Sequence, residues 1–203
     1  MPAMRIVAIV LAAGEGRRMG GPKALLPLHG TTFLAHACRL FAGAGAADVV
    51  AVLGAEAERV RDAGGIPDGV SVVVNDRWRE GMLTSVWRGL DEAEALGADA
   101  VLLHPVDHPL VGPDTVARVC AALADGAAIA VPTADGRRGH PGGFARRLFA
   151  ELRAAPLDRG ARAVLDAEPV RVLHVAGDAG CRAGIDTPAD YAAQLGALPP
   201  SER

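Results

Sequence analysis

Aromatic residues are scarce in this chain: four Phe, two Trp and one Tyr among 203 residues. With 21 Lys and Arg set against 24 Asp and Glu, for a net charge of −3, there is no basic stripe either. A nucleic-acid surface needs both, so nucleic acid is excluded as a partner and any phosphate binding must be local. Cysteine is equally sparse. Cys38, Cys120 and Cys181 are an odd number at wide spacing, which provides neither a disulfide framework nor a zinc motif and suits a reducing cytoplasm. No apolar run reaches transmembrane length, so no membrane partner is expected. Residues 5–13 have the outline of a secretion signal, with Arg5, a short apolar run and Ala12-Ala13, but they continue straight into a glycine loop and read as a strand. The length suffices for one sizeable core and is short for two. The expectation is a single domain over residues 1–203 with its core at about 5–195.

What the chain does have is that glycine loop. Residues 6–11 form an apolar, β-branched run typical of a strand buried on both faces. Leu11, Ala12, Ala13, Gly14, Glu15 and Gly16 come next, then Arg17, Arg18, Gly20, Gly21, Pro22 and Lys23. Glycines permit φ > 0 and let bare N–H groups approach a ligand, and the three basic side chains add positive charge. A polyphosphate suits such a loop; a flexible surface loop is the plain alternative. The dinucleotide fingerprint does not fit, because Gly14, Gly16 and Gly20 are spaced one residue too long. The Walker A pattern fails as well: Pro22 separates Gly21 from the lysine, and Ala24 stands where a Ser or Thr is required.

Downstream, Thr31-Thr32 precede a helical pattern of Phe33, Leu34, Ala37, Leu40 and Phe41 that ends at Gly43 and Gly45. Strands are expected at 49–53 and 70–74 around a helix at 56–63, a βαβαβ alternation that predicts a parallel sheet with helices on both faces. Thr84 and Ser85 then open a helix, either as a cap or as part of an anion site. Residues 100–111 read as a strand running into Asp107, which serves a turn or, beside the glycine loop, holds Mg²⁺ against phosphates. His104 and His108 are four apart, but prolines exclude the helix that a zinc pair would need. A helix at 113–123, strands at 128–131 and 171–175, and a helix begun by Pro188 complete the pattern. Residues 135–144 form a polar hairpin or a contact segment, and Asp186-Thr187 form at least a helix cap.

The run L-A-A-G-x-x-x-R-M-G-x-x-K at 11–23 resembles the signature loop of the molybdenum cofactor cytidylyl- and guanylyltransferases. Further runs resemble that family in the same order: N-x-x-W-x-x-G-M-x-x-S-V-x-x-G-L at 75–90, Asp107 before a proline two residues on, R-G-H-P at 138–141 leading into a helix, D-R-G-A-R at 158–162 as the start of a helix, and D-T-P-x-D at 186–190. The resemblance spans about residues 6–195. It implies a three-layer, Rossmann-like α/β nucleotidyltransferase fold with a mostly parallel mixed sheet. It also implies that the loop wraps the triphosphate of an NTP while Arg18 and Lys23 neutralise its charge, with Asn75 and Ser85 as nucleotide contacts. By the same resemblance Asp186 is a second metal ligand beside Asp107, and His140 contacts the acceptor. His108, the other expected acceptor-binding residue, departs from the Met or Gln usual in the family, which marks the acceptor side as distinctive.

The expected reaction is Mg²⁺-dependent nucleotidyl transfer, with Arg18, Lys23 and Asp107 as its catalytic residues. An acceptor phosphate attacks the α-phosphorus in line and pyrophosphate leaves. CTP is the expected donor, since guanylyltransferase-like loops read L-A-G-G and the methyl of Ala13 crowds a purine seated on the loop. The expected acceptor is the molybdenum-binding pterin, its product handed to a molybdoenzyme or its chaperone. Two alternatives stand beside this: transfer to another small phosphorylated metabolite, and a nucleotide-binding module without catalysis.

Overall fold

The computed structural model describes residues 4–196; residues 1–3 and 197–203, which the single-domain expectation also takes in, lie outside the described residues. Strand β1 (Ile6–Ala12) is buried along its whole length because its alternating side chains enter two different cores. Val7, Ile9 and Leu11 join Leu83, Val86 and Leu90 of helix α3 (Met82–Ala95). Ala8, Val10 and Ala12 join Phe33, Leu34 and Phe41 of helix α1 (Phe33–Gly43).

Around β1 the sheet is ordered β10 (Val172–Ala176), β7 (Ile129–Ala134), β9 (Gly142–Ala145), β6 (Ala100–Pro105), β1, β4 (Asp48–Leu53) and β5 (Ser71–Val74). Every neighbouring pair is parallel except those of β9, which runs antiparallel to both β6 and β7. Helices α1, α2 (Ala57–Ala63), α4 (Pro113–Ala124) and α7 (Pro188–Leu195) pack on one face. Helices α3, α5 (Phe149–Ala154) and α6 (Arg162–Ala167) pack on the other. This is the expected three-layer α/β architecture with a mostly parallel mixed sheet. A small ribbon, β2 (Pro27–Leu28) with β3 (Thr31–Thr32), precedes α1, and the Thr32 hydroxyl caps that helix by accepting from Ala35 N. No helix among the described residues is long and apolar enough to cross a membrane.

Three elements differ from the sequence reading. The strand expected over 100–111 stops at Pro105, because the prolines at 105 and 109 remove ladder donors. Asp135 and Gly136, with φ of 49° and 71°, make the hairpin turn that pairs β8 (Arg137–Arg138) back onto β7. The segment after R-G-H-P is then strand β9, not a helix. The glycines there hid it: a Cβ on Gly143 would stand 2.8 Å from Leu123 and 2.9 Å from Val119, so bare backbone is what lets α4 lie over β9. The D-R-G-A-R run is a turn, and α6 begins only at Arg162.

Close packing of α3 on β1 likewise needs Gly89, where a Cβ would come within 2.4 Å of Ile9 Cγ2 and 3.2 Å of Val52 Cγ2. Asp178 ties the start of α4 to the segment after β10, its carboxylate accepting from Gly112 N at 2.9 Å, from Cys181 N at 3.1 Å and from the Thr115 hydroxyl. Burial alone would raise its pKa, but those hydrogen bonds outweigh burial and hold it below 3.8.

Gly89→Ala is expected to lower stability in urea melts by about 1–3 kcal/mol. Gly43→Ala, at a helical position with open space around it, should be neutral or stabilising by up to about 1 kcal/mol. For Asp178 the folded pKa lies below the unfolded one, so its contribution is complete above 3.8 and is lost as pH falls through the folded value. Asp178→Asn should therefore flatten the stability curve on its acid side, which melts between about pH 2 and 6 would record.

Candidate functional site

The chain leaves β1 at the edge of the sheet where parallel strands end, the usual position of ligand sites in open α/β sheets. Gly16 (φ 63°) and Gly20 (φ 77°) turn it back on itself around a short 3₁₀ turn at Arg17–Met19. Met19 N and Gly21 N both donate to Gly16 O, and a Cβ on Gly16 would stand 1.9 Å from Gly21 O, so only glycine closes this turn. The amides of residues 14–16 donate to no carbonyl among the described residues. They remain available to an anion.

From the turn, Lys23 reaches two carboxylates that are distant in sequence. Its Nζ donates to Asp107 Oδ2 at 2.8 Å and to Asp186 Oδ1 at 2.5 Å. Arg18 Nη2 donates to the same Asp186 oxygen at 2.9 Å. Burial would lower the Lys23 pKa, but its two carboxylate partners outweigh burial and raise it. The hydrogen bond from Lys23 lowers that of Asp186, so both groups are charged at neutral pH.

Backbone geometry brings the two carboxylates together. Asp107 stands just past β6, and its carbonyl accepts from Ile185 N at 2.8 Å, which draws the 185–186 segment alongside. Thr187 is the true cap of α7, in a reciprocal capping box with Asp190, and Asp190 also accepts from Asp186 N at 3.1 Å. Asp186 is thereby free of capping and turned toward the glycine loop. Asp107 and Asp186 thus present two carboxylate oxygens to one cationic group, the donor type that hard cations take.

Arg18, Lys23, Asp107 and Asp186 border a cleft of about 360 Å³ together with Leu11, Ala12, Ala13, Gly14, Gly16 and Ser85. The structure thus gathers most of the expected loop and helix residues, and it moves two members out of the cleft wall. Glu15 is not in the cleft wall; its carboxylate is held outward by Arg17 at 2.5 Å. Asn75 lies behind the wall, only 5% exposed, with Oδ1 accepting from Arg77 N and Nδ2 donating to the hydroxyls of Thr84 and Ser85. Since a backbone N–H can only donate, the amide orientation is fixed, and Ser85, already accepting from Asn75, has its proton to offer into the cleft. Thr84 and Ser85 are not caps, because α3 starts earlier, after Gly81, and Thr84 donates back to the carbonyls of Arg77 and Gly81.

The methyl of Ala13 turns toward β4's end, where a Cβ on Gly54 would stand 2.7 Å from it and 2.8 Å from Trp78 Cβ. Ala13 thus lines the cleft with its methyl packed beside Gly54 and Trp78. Trp78 and Met82, which the sequence reading passed over, both line the cleft; a tryptophan between a strand end and a helix start in so aromatic-poor a chain was the available signal. Arg79 stacks over the Trp78 ring at 4.2 Å.

His108 and His140 come together beside this cleft, their ring centroids 4.5 Å apart. Burial first, and then the neighbouring His108, pushes the His140 pKa down to about 4. Burial also lowers His108, against the opposing pull of Asp107 and Asp186. The pair is neutral at pH 7. His104 is buried against Phe41, with ring centroids 4.8 Å apart, and plays no part in the site.

A molybdenum cofactor guanylyltransferase from Acidiphilium cryptum is 36% identical over 178 residues, covering 87% of this chain and 81% of that protein. A 2-C-methyl-D-erythritol 4-phosphate cytidylyltransferase from Streptomyces avermitilis is 41% identical over 135 residues, covering 63% of this chain but only 53% of that protein. Among solved structures, Rv0371c from Mycobacterium tuberculosis H37Rv superposes with a TM-score of 0.80 at 32% identity, covering 96% of this chain and 99% of that one. Its complex with manganese superposes with a TM-score of 0.75. The family model for MobA-like NTP transferase domains matches residues 8–172, from within β1 to the first residue of β10. On a match that takes in the glycine turn and runs from the central strand to the sheet's far edge, the chain belongs to the MobA-like NTP transferase family.

Proposed function

We propose that this chain transfers CMP from CTP to the phosphate of a small acceptor, the molybdenum-binding pterin, and releases pyrophosphate. The observation that carries the reading is the convergence of Lys23, Asp107 and Asp186 at the glycine turn. An acceptor phosphate is already ionised at neutral pH, so the reaction needs positioning and charge neutralisation more than a base. An acceptor oxygen forms a bond to the α-phosphorus, the bond to the β-phosphate bridge breaks, and pyrophosphate leaves with the electron pair.

Each residue has a task in that displacement. The free amides of residues 14–16 hold phosphate oxygens, and Lys23 and Arg18 exchange their carboxylate partners for the triphosphate. Asp107 and Asp186 would hold Mg²⁺, which would supply neutralisation of the phosphate charge. The carboxylate pair fits such an ion, and the manganese complex of Rv0371c supports a divalent cation in a related protein. Ser85 donates to an acceptor atom of the nucleoside. CTP is favoured because Ala13, Gly54 and Trp78 thicken the wall by one methyl group relative to a glycine loop, an effect worth about 1–3 kcal/mol. Handover of the product to a molybdoenzyme or its chaperone completes the reading.

Asp107→Ala should cut pyrophosphate release from CTP by at least about 10²-fold. The melting curve should stay near wild type, because Lys23 keeps Asp186 and the backbone carbonyl of residue 107 keeps Ile185. Turnover that survives this substitution would refute the metal assignment. Calorimetric titration of CTP, GTP and ATP with Mg²⁺ tests the base: CTP should bind about tenfold or more tightly than GTP. A preference for GTP would reverse that step.

A further inference from the structure

Strand β10 ends the sheet on one side: β7 is its only strand partner, and no strand among the described residues covers its outer edge. Gly177 N donates to Thr133 O of β7 at 2.9 Å, and Val175 O accepts from the Thr133 hydroxyl at 3.3 Å, so the odd-numbered residues of β10 face the sheet. Successive residues alternate, and Val172, His174 and Ala176 therefore turn their N–H and C=O groups outward. Two of these six groups are taken. Val172 N donates to Pro169 O, and Ala176 O accepts from Arg118 Nη1 at 3.3 Å. The other four, both groups of His174, the N–H of Ala176 and the C=O of Val172, have no partner among the described residues.

Those four are complementary to themselves. In a second β10 laid antiparallel beside the first, on a two-fold axis at His174, each His174 exchanges both bonds with its counterpart, and Ala176 N of each strand meets Val172 O of the other. Four hydrogen bonds form. The two groups already taken, Val172 N and Ala176 O, are the ones that would have faced each other, so no open group is left over. Proline and lysine, which commonly guard such an edge, are both absent from β10.

Side chains and charges fit the same axis. Val175 packs toward the core beneath α4, and Leu173, on the same face, is 48% exposed. The two-fold sets Leu173 of each copy against Val175 of the other. At the start of the strand, beside the exposed Val170, Glu151 and Glu168 share Arg171 at 2.8 Å and 3.1 Å, which leaves one negative charge over. At the far end Arg118 of α4 has only the Ala176 carbonyl for a partner, while the nearby Asp178 is turned inward to Gly112, Thr115 and Cys181. Antiparallel pairing brings the acidic end of one copy to the basic end of the other.

We propose that the open edge of β10 binds a second copy of this chain, the two strands antiparallel about His174 and Arg118 of each copy facing Glu168 of the other. One sheet then runs through both protomers. Nothing in this depends on the transfer reaction.

The test is sedimentation velocity of the full chain at pH 8, where histidine is ordinarily uncharged, over about 1 to 200 μM. A reversible equilibrium between monomer and dimer is expected. His174→Pro removes an outward N–H at an edge position that tolerates proline, and should weaken the dimer by about tenfold or more while circular dichroism shows a folded protein. Arg118→Glu and Glu168→Arg, both at exposed side chains, should each weaken it to a similar extent. An equimolar mixture of those two chains should recover the dimer, because every contact in the mixed pair again joins an acid to a base. A monomer at every concentration, a dimer that His174→Pro leaves unchanged, or a mixture no more associated than its components would each overturn the proposal.

Discussion

The ammonium of Lys23 lies between two carboxylates that enter from far-apart stretches of the chain, and the candidate site is organised around that contact. Asp107 and Asp186 at such close quarters would repel each other without a cation between them. Lys23 supplies the charge, and Arg18 balances the second carboxylate, so the cluster is neutral as it stands. A neutral cluster of two acids and two bases is also a poised one. It can be re-sorted by a ligand that brings negative charge and a divalent cation, with each partner taking what the other releases.

That contact depends on backbone devices that carry no charge. The turn at Gly16 delivers Lys23 to the strand ends, and no side chain fits there. The hydrogen bond from Ile185 N to the Asp107 carbonyl joins the two acidic segments, and the Thr187–Asp190 box takes over the capping duty that would otherwise occupy Asp186. Behind the opposite wall, Asn75 spends its whole amide on Arg77, Thr84 and Ser85. It shapes the cleft without touching it. The polar groups nearest the cleft are thus oriented by a layer of neighbours that the cleft never exposes, which is how a preorganised electrostatic site is held in place.

The sheet serves the same end. Because β1 is buried on both faces, its register is fixed by two cores at once, and the loop that leaves it is held at a defined height above the sheet. Glycines 89 and 143 let α3 and α4 settle close to the strands beneath them. Helix α3 in turn presents Ser85 and Met82 to the cleft.

The sequence by itself determined the layered α/β fold and marked the glycine loop and Asp107, because each leaves a local signature: alternating strands and helices, a run of glycines beside basic residues, an acid just past a strand; Asp186 was singled out only by the resemblance of D-T-P-x-D. It did not reveal β9, whose glycines exist to be covered by α4 and so look like a loop in one dimension. Nor did it separate Asn75 from Ser85, or show that the Ala13 methyl faces Gly54, since those depend on which way a side chain points once two distant segments have packed. Only the tertiary structure decided that Lys23 bridges both carboxylates and that β10 ends the sheet with its outer edge open. Such arrangements arise from contacts across scores of residues, and a linear pattern carries no measure of distance in space.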